Sequence, residues 1–132
     1  MDTTGKIVGV NGNMITVAFD GAVAQNEVGY ACIAHDGATQ RLMSEIVRIR
    51  GRLADMQVFE DTRDLQVGDE VAFTGNLLAA ELGPGLLKQI YDGLQNPLPQ
   101  LAEQCGFFLQ RGTYLHALDR AAKWAFTPAA KP

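Results

Sequence analysis

The residues with the clearest chemical potential are Lys88 and the glycines before it, in the stretch GPGLLKQ at residues 83–89. A glycine-rich loop followed by a lysine can bind phosphate, because backbone amides and the ammonium group surround the phosphate oxygens. The Walker loop has the pattern G-x-x-x-x-G-K-[S/T], with a glycine before the lysine and a hydroxyl residue after it to bind magnesium. Here Leu87 precedes Lys88 and Gln89 follows it. This departure favours a helix entry over a nucleotide loop.

Four further side chains could act as nucleophiles or metal ligands: Cys32, Cys105, His35 and His116. The cysteines are far apart and lack CxxC spacing, and neither histidine has a partner at the spacing of a metal ligand set. We interpret all four as structural or solvent-exposed residues. The sequence thus predicts no catalytic residue, no cofactor-binding residue and no metal ligand in this chain.

Length and composition limit the classes of protein to consider. The chain has 132 residues, 47% of them hydrophobic and 20% charged, which is typical of one globular domain, or of one small domain and part of another. Eleven basic and fifteen acidic residues give a net charge of −4, which disfavours nucleic acid as a partner. No apolar run approaches the roughly eighteen residues of a membrane helix, and no signal-peptide pattern opens the chain. These features predict a cytoplasmic location without direct membrane contact.

The first 75 residues have the pattern of a small β-barrel. The runs KIVGV and MITVAF flank Asn11-Gly12, a pair that supplies the positive φ angles of a tight hairpin. EIVRIR and LADMQVFE flank Gly51 in the same way, and the second run alternates apolar and polar residues. Gly68-Asp69 turns the chain into a last strand. Six short strands are expected to close into a barrel, because closure removes unpaired edges, with AHDGATQ at residues 34–40 as an exposed loop.

Past Gly75 the pattern predicts helices. Gly83 would cap a helix with Pro84 at its first position, and Asn96-Pro97 would end it. Its buried stripe would comprise Leu86, Leu87, Ile90, Tyr91 and Leu94, with Lys88 towards solvent.

A second short helix is predicted from Pro99 to Cys105, with Gly106 as its C-terminal cap. The final residues are rich in aromatic side chains that have few predicted elements to pack on, which suggests a chain cut inside a domain; these are Phe107, Phe108, Tyr114, Trp124 and Phe126.

Three stretches of the sequence resemble the catalytic A subunit (alpha chain) of V-type rotary ATPases, the vacuolar, archaeal and bacterial type. ELGPGLLKQIYDGLQNPL at residues 81–98 is the most specific, and RG…ALDRAAKWAFTP is similar to the opening of that subunit's insertion. The segments around GKIVGVNGNMITVAFDG and EIVRIRGRLADMQVFEDTRDLQVGDEVAFTG resemble its N-terminal barrel. The family commonly has Ser-Gly-Pro at residues 11–13 and a glycine in place of Lys88, a change that we expect to favour the helix.

The resemblance implies an N-terminal piece of that subunit with a mainly β fold. Residues 1–75 would be the six-stranded barrel, residues 76–106 a helical connector towards the nucleotide domain, and residues 107–132 the truncated start of a β-rich, non-homologous insertion. In the family, the barrels of alternating A and B subunits form a ring of six that holds the hexamer together. The parent subunit binds Mg-ATP or ADP and couples ATP hydrolysis or synthesis to proton or sodium transport, as a peripheral part of the V1/A1 sector.

None of the parent's catalytic motifs lies in these residues, so the chain is expected to be inactive, to bind no cofactor and to have a structural role, with self-association as a further expectation. One alternative is a free-standing small-barrel binding or interaction module. Another is the corresponding part of a B subunit or an export ATPase, although the insertion-like tail disfavours it.

Overall fold

A computed structural model describes residues 3–35, 37–106 and 108–129, except for the side chain of His35. The described residues form two compact units. The barrel unit comprises the chain up to Ala79 together with Gln110–Thr113, and the second unit comprises residues 80–109 and the chain from Tyr114 onward.

Six antiparallel strands in the described chain close into a barrel, in the order β1-β2-β5-β4-β3-β6. Their bounds are β1 Thr4–Asn11, β2 Met14–Phe19, β3 Glu27–His35, β4 Ala38–Arg50, β5 Leu53–Val58 and β6 Glu70–Leu77. The predicted barrel and the hairpins at Asn11-Gly12 and Gly51 are therefore confirmed. Gly12 and Gly51 have φ angles of 59° and 62°, the left-handed conformation that tight turns require.

The core of the barrel follows from alternation along the strands, because every second side chain points inward. Ile7, Ile15, Val17, Leu42, Ile46, Met56, Val58, Val71 and Phe73 are among its buried residues. Close packing requires a glycine at position 5, because a Cβ atom there would lie 2.6 Å from Val17 Cγ1 and 2.8 Å from the carbonyl oxygen of Ala18. The barrel is thus filled by side chains and has no lumen to hold a ligand.

The loop predicted at residues 34–40 is shorter than expected. Strand β3 continues to His35 and β4 begins at Ala38, and these two residues pair directly. Ladder pairing to the tip leaves only a tight turn, whose Gly37 has a φ angle of 81°. Asp36 lies outside the described residues.

The long helix predicted from Pro84 to Asn96 is wrong. Only Pro84–Leu86 forms one turn of 3-10 helix, after which Lys88 and Gln95 both adopt a left-handed φ angle of 63°. The Asp92 carboxylate accepts the amide hydrogens of Leu94 and Asn96 at 2.9 and 2.8 Å, a local turn that competes with a helix. Lys88 therefore does not favour a helix as expected from its replacement of a family glycine.

The second predicted helix is confirmed as α1, Leu98–Cys105, which ends at Gly106 with a φ angle of 72°. Residues 108–129 contain turns and extended segments without a strand, so the β-rich character expected of an insertion does not appear in them. Phe107 lies outside the described residues. No helix in the described part of the chain has the length and apolar character needed to cross a membrane.

Candidate functional site

The two residues after Gly83-Pro84-Gly85 turn their backbone amides back onto this stretch. The N–H groups of Leu86 and Leu87 donate to the carbonyls of Gly83 and Pro84, both at 3.2 Å, so they are used within the turn. A phosphate loop requires free amides directed at one point and a lysine beside them. Lys88 is instead exposed, at a left-handed backbone position.

Cys32, Cys105 and His116 lie on different elements, and the side chain of His35 lies outside the described residues. The half-buried Cys32 thiol donates to the Tyr30 carbonyl at 3.6 Å, and its pKa is raised by burial. Cys105 is a partly exposed residue of α1, and His116 lies beside Glu81 in the second unit. In the residues that the structure describes, no three side chains of the metal-binding types come together.

The second unit contains a cleft of about 570 Å³ above the Gly-Pro-Gly turn. Its apolar walls include Leu82, Pro84, Tyr91, Pro97, Leu118 and Trp124. Tyr91 is fixed by its hydroxyl, which donates to the carbonyl of Ala117 at 3.1 Å. Gln89 and Gln100 contribute polar groups to the same cleft. The cleft thus combines aromatic surface with side-chain amides.

Glu81 contacts two basic side chains of the second unit. Its Oε1 accepts the Arg120 guanidinium, with Nε at 3.1 Å and the second bond through Nη2, and lies 3.4 Å from His116 Nδ1. Its Oε2 accepts the amide hydrogen of Leu118 at 3.0 Å. The hydrogen bonds from Arg120 and then from Leu118 lower the pKa of the Glu81 carboxyl group. Glu81 therefore remains ionised and joins two segments of the unit.

Two amide side chains hold the segments around Glu81. Gln95 forms both hydrogen bonds with the Glu81 backbone, accepting its N–H and donating to its carbonyl, each at 2.7 Å. Asn96 is buried; it donates to the Asp92 carboxylate at 2.9 Å and accepts the amide hydrogen of Leu115 at 2.8 Å. These contacts make the stretch at residues 81–98 a framework for the loop at residues 114–120.

In the barrel unit, Arg111 holds the loop that precedes β6. Its guanidinium donates to the carbonyls of Asp61 and Arg63 and to the Asp64 carboxylate, and its Nε donates to Gln40 at 3.2 Å. The next amide, of Gly112, donates to Glu60 at 2.6 Å. An arginine presents its donors in a fixed planar fork, so Arg111 suits this cluster of acceptors better than a lysine would.

Several large apolar side chains are exposed on the outside of the barrel. Val8 and Val10 lie on β1 and Met14 begins β2. Val67 is 65% exposed in the turn that hydrogen-bonds to β1, where the Gly68 amide donates to the Ile7 carbonyl at 2.8 Å. We call these four residues the hairpin patch. Exposed apolar side chains are candidates for a contact with a partner.

Sequence reasoning missed Glu81, Gln95, Asn96 and Arg111. Each is polar and has partners between 14 and 71 residues away, a separation at which no periodicity connects them. The sequence does contain a signal for the Asp92 turn, since an Asp or Asn side chain commonly bonds to a backbone amide two residues on. Asp92 and Gly93 lie among apolar residues at helical spacing, and that spacing led to the prediction of a helix.

Comparison with known proteins gives the family. The model of the ATP synthase alpha/beta family β-barrel domain matches residues 7–75, which span the chain from β1 into β6. The V-type ATP synthase alpha chain of Treponema denticola is 62% identical over 129 residues, which are 98% of this chain. V-type ATP synthase alpha chain 1 of Treponema pallidum is 59% identical over 96% of it. The V-type alpha chain of Borrelia garinii subsp. bavariensis is 55% identical over 99% of it.

The chain spans about a fifth of the length of these relatives, 21% for the two Treponema proteins and 22% for the Borrelia protein. The similarity nevertheless extends through both compact units, and the family domain coincides with the observed barrel. The chain therefore belongs to the ATP synthase alpha/beta family, and it carries that family's β-barrel domain in the form found in V-type alpha chains.

Proposed function

We propose that the chain is the N-terminal part of the catalytic alpha (A) subunit of a V-type ATP synthase, and that its role is assembly. In this role the barrel joins the barrels of neighbouring B subunits in an alternating ring of six. The parent subunit binds Mg-ATP or ADP and hydrolyses or makes ATP coupled to ion transport, at the membrane periphery. The observation that carries the proposal is the similarity to V-type alpha chains over 98% of this chain.

The barrel has the properties of an assembly module. Its interior is filled by apolar side chains, and each of the six described strands has a neighbour on both sides, which leaves few open strand edges. What remains for a partner is its outer surface. The hairpin patch offers exposed apolar side chains there, and burial of such groups drives protein association.

The test of assembly is binding to the B subunit of a V-type ATP synthase. The 132-residue chain is expected to co-purify with that subunit, and Val10→Lys should weaken the complex at least about tenfold, because a buried charge replaces an apolar contact. Thr39→Lys is the matched control: it adds the same charge at an exposed site on β4, away from the hairpin patch. Failure of the unmodified chain to bind any B subunit would contradict the proposal.

Nucleotide binding distinguishes this role from a catalytic one. The amides of Leu86 and Leu87 are bound within the turn and no glycine directly precedes Lys88, so calorimetric titration of the chain with Mg-ATP is expected to show no binding heat. Micromolar binding that Lys88→Ala abolishes would instead assign nucleotide recognition to this segment.

A further inference from the structure

The loop that binds the Glu81 carboxylate also makes an apolar contact, through the side chain of Leu118. Leu118, whose amide donates to the Glu81 carboxylate, rests its methyl groups against Gly83 and Gly85. A Cβ atom at Gly83 would lie 3.0 Å from Leu118 Cδ1, and one at Gly85 would lie 3.1 Å from Leu118 Cδ2. Because these two glycines have no side chains, they leave the space that Leu118 occupies. We call this space the glycine seat. Neither glycine needs a left-handed φ angle, so space explains them better than backbone conformation.

We propose that Glu81 and the residues it binds form a charge-operated latch, which holds residues 116–120 on the Gly83-Pro84-Gly85 turn and releases them when the carboxylate is neutralised. The charged half of the latch is Glu81 with Arg120, His116 and the Leu118 amide; the apolar half is Leu118 on its glycine seat. A single carboxylate serves both halves, because Leu118 contributes its amide to one and its side chain to the other.

The charges facing Glu81 determine how the latch responds to acid. Arg120 and His116 face the carboxylate from the loop, and Asp119 lies on the same cleft with its own carboxylate bound to the Ala121 amide at 2.9 Å. The hydrogen bonds from Arg120 and then from the Leu118 amide lower the pKa of the Glu81 carboxyl group. A lowered pKa in the closed state means that closure is stabilised above the ordinary glutamate pKa of about 4.3. That stabilisation is lost as the pH falls through this value and below it.

Amide hydrogen exchange of the 132-residue chain tests the latch directly. Glu81→Gln keeps the size of the side chain and one acceptor oxygen but removes the charge. It should lower the protection of the Leu118 amide about three- to tenfold, because a hydrogen bond to a charged acceptor is stronger than one to a neutral acceptor. Glu103→Gln is the matched control, since Glu103 is exposed on α1 in the same unit, and it should leave this protection unchanged.

The pH dependence separates a charge-operated latch from simple packing. In the unmodified chain, protection of Leu118, corrected for intrinsic exchange, should fall as the pH is lowered below about 4.3. In Glu81→Gln it should be low throughout and independent of pH. Trp124 provides an optical reading, because its Cζ2 would lie 3.6 Å from a Cβ atom on Gly85; its emission should shift with opening.

Arg120→Gln gives the second arm of the experiment. It should also reduce Leu118 protection, and adding it to Glu81→Gln should reduce that protection little further, because the ion pair between Glu81 and Arg120 is then already lost. Equal protection in the unmodified chain and in Glu81→Gln would overturn the proposal. So would fully additive effects of the two substitutions, since Glu81 and Arg120 would then act independently.

Discussion

At the residue scale, burial rather than apolar character decides which side chains stabilise the chain. Ile90, expected on a buried helix face, is 67% exposed in an irregular segment, whereas Met56 on β5 is fully buried. Ile90→Ala should therefore change the free energy of unfolding by no more than about 0.5 kcal/mol. Met56→Ala should lower it by about 2 to 5 kcal/mol, because it leaves a cavity in the barrel core. Urea denaturation of the two variants checks this, and a larger loss at Ile90 would restore the predicted helix.

A single carboxylate should also make the barrel sensitive to acid. Asp55 accepts two hydrogen bonds from Arg50, at 2.9 and 3.1 Å, and one from Thr16 at 3.0 Å. The Arg50 contact lowers the pKa of Asp55, so ionised Asp55 favours the folded state. Its contribution is present above the ordinary aspartate pKa of about 3.9 and is lost as the pH falls through and below that value.

Denaturation between pH 6 and pH 3 should accordingly show a weaker loss of stability for Asp55→Asn than for the unmodified chain, as judged by urea midpoints at each pH. Asp20→Asn is the control, because Asp20 and its partner Arg52 are both highly exposed, with side chains 86% and 81% accessible. An identical pH profile for Asp55→Asn and the unmodified chain would show that the Arg50 pair does not contribute.

At the element scale, strand β1 contains two glycines with opposite requirements. Gly5→Ala should destabilise the barrel by about 1 to 3 kcal/mol, because its Cβ atom would meet the Ala18 carbonyl at 2.8 Å and Val17 at 2.6 Å. Gly9→Ala should be neutral or stabilising by up to about 1 kcal/mol, since its nearest neighbour would lie 3.8 Å away and alanine restricts the unfolded chain. Thermal unfolding monitored by circular dichroism compares the two variants. A greater loss at Gly9 would contradict the packing described here.

The elements that were predictable are those encoded by neighbouring residues. Asn11-Gly12 and Gly51 carry their hairpins because turn chemistry and alternation act within a few residues. The cap of α1 at Gly106 is local in the same way. The helix predicted after Pro84 was wrong because the same apolar spacing is compatible with turns. The side chain of Asp92 and the left-handed backbone of Gln95 favoured a turn there. The strand order and the contacts of Glu81 depend on residues that are far apart in the chain. Periodicity in one sequence does not predict such contacts.

At the scale of the whole molecule, the two compact units should unfold in separate steps. The chain's one tryptophan, Trp124, lies in the second unit, whereas the strands that dominate circular dichroism lie in the barrel unit. The tryptophan transition is expected at lower urea than the circular dichroism transition, because the second unit has few buried apolar side chains. Limited proteolysis should cut residues 114–129 before the barrel. Coincident transitions, or first cleavage within the barrel, would indicate a single cooperative unit.

The pairing of β1 with β6 also determines when the barrel can close during synthesis of the chain. Thr4 lies opposite Ala72, so the seam of the barrel joins segments that are 68 residues apart in the chain. At typical synthesis rates of about 5 to 20 residues per second, β1 would leave the ribosome roughly 3 to 14 s before the strand that completes it. Hairpins form in about 1 to 10 μs, so β1 and β2 can pair long before closure is available. The nascent chain therefore passes through a half-built sheet, and during this interval its open edge is accessible to pairing with other chains.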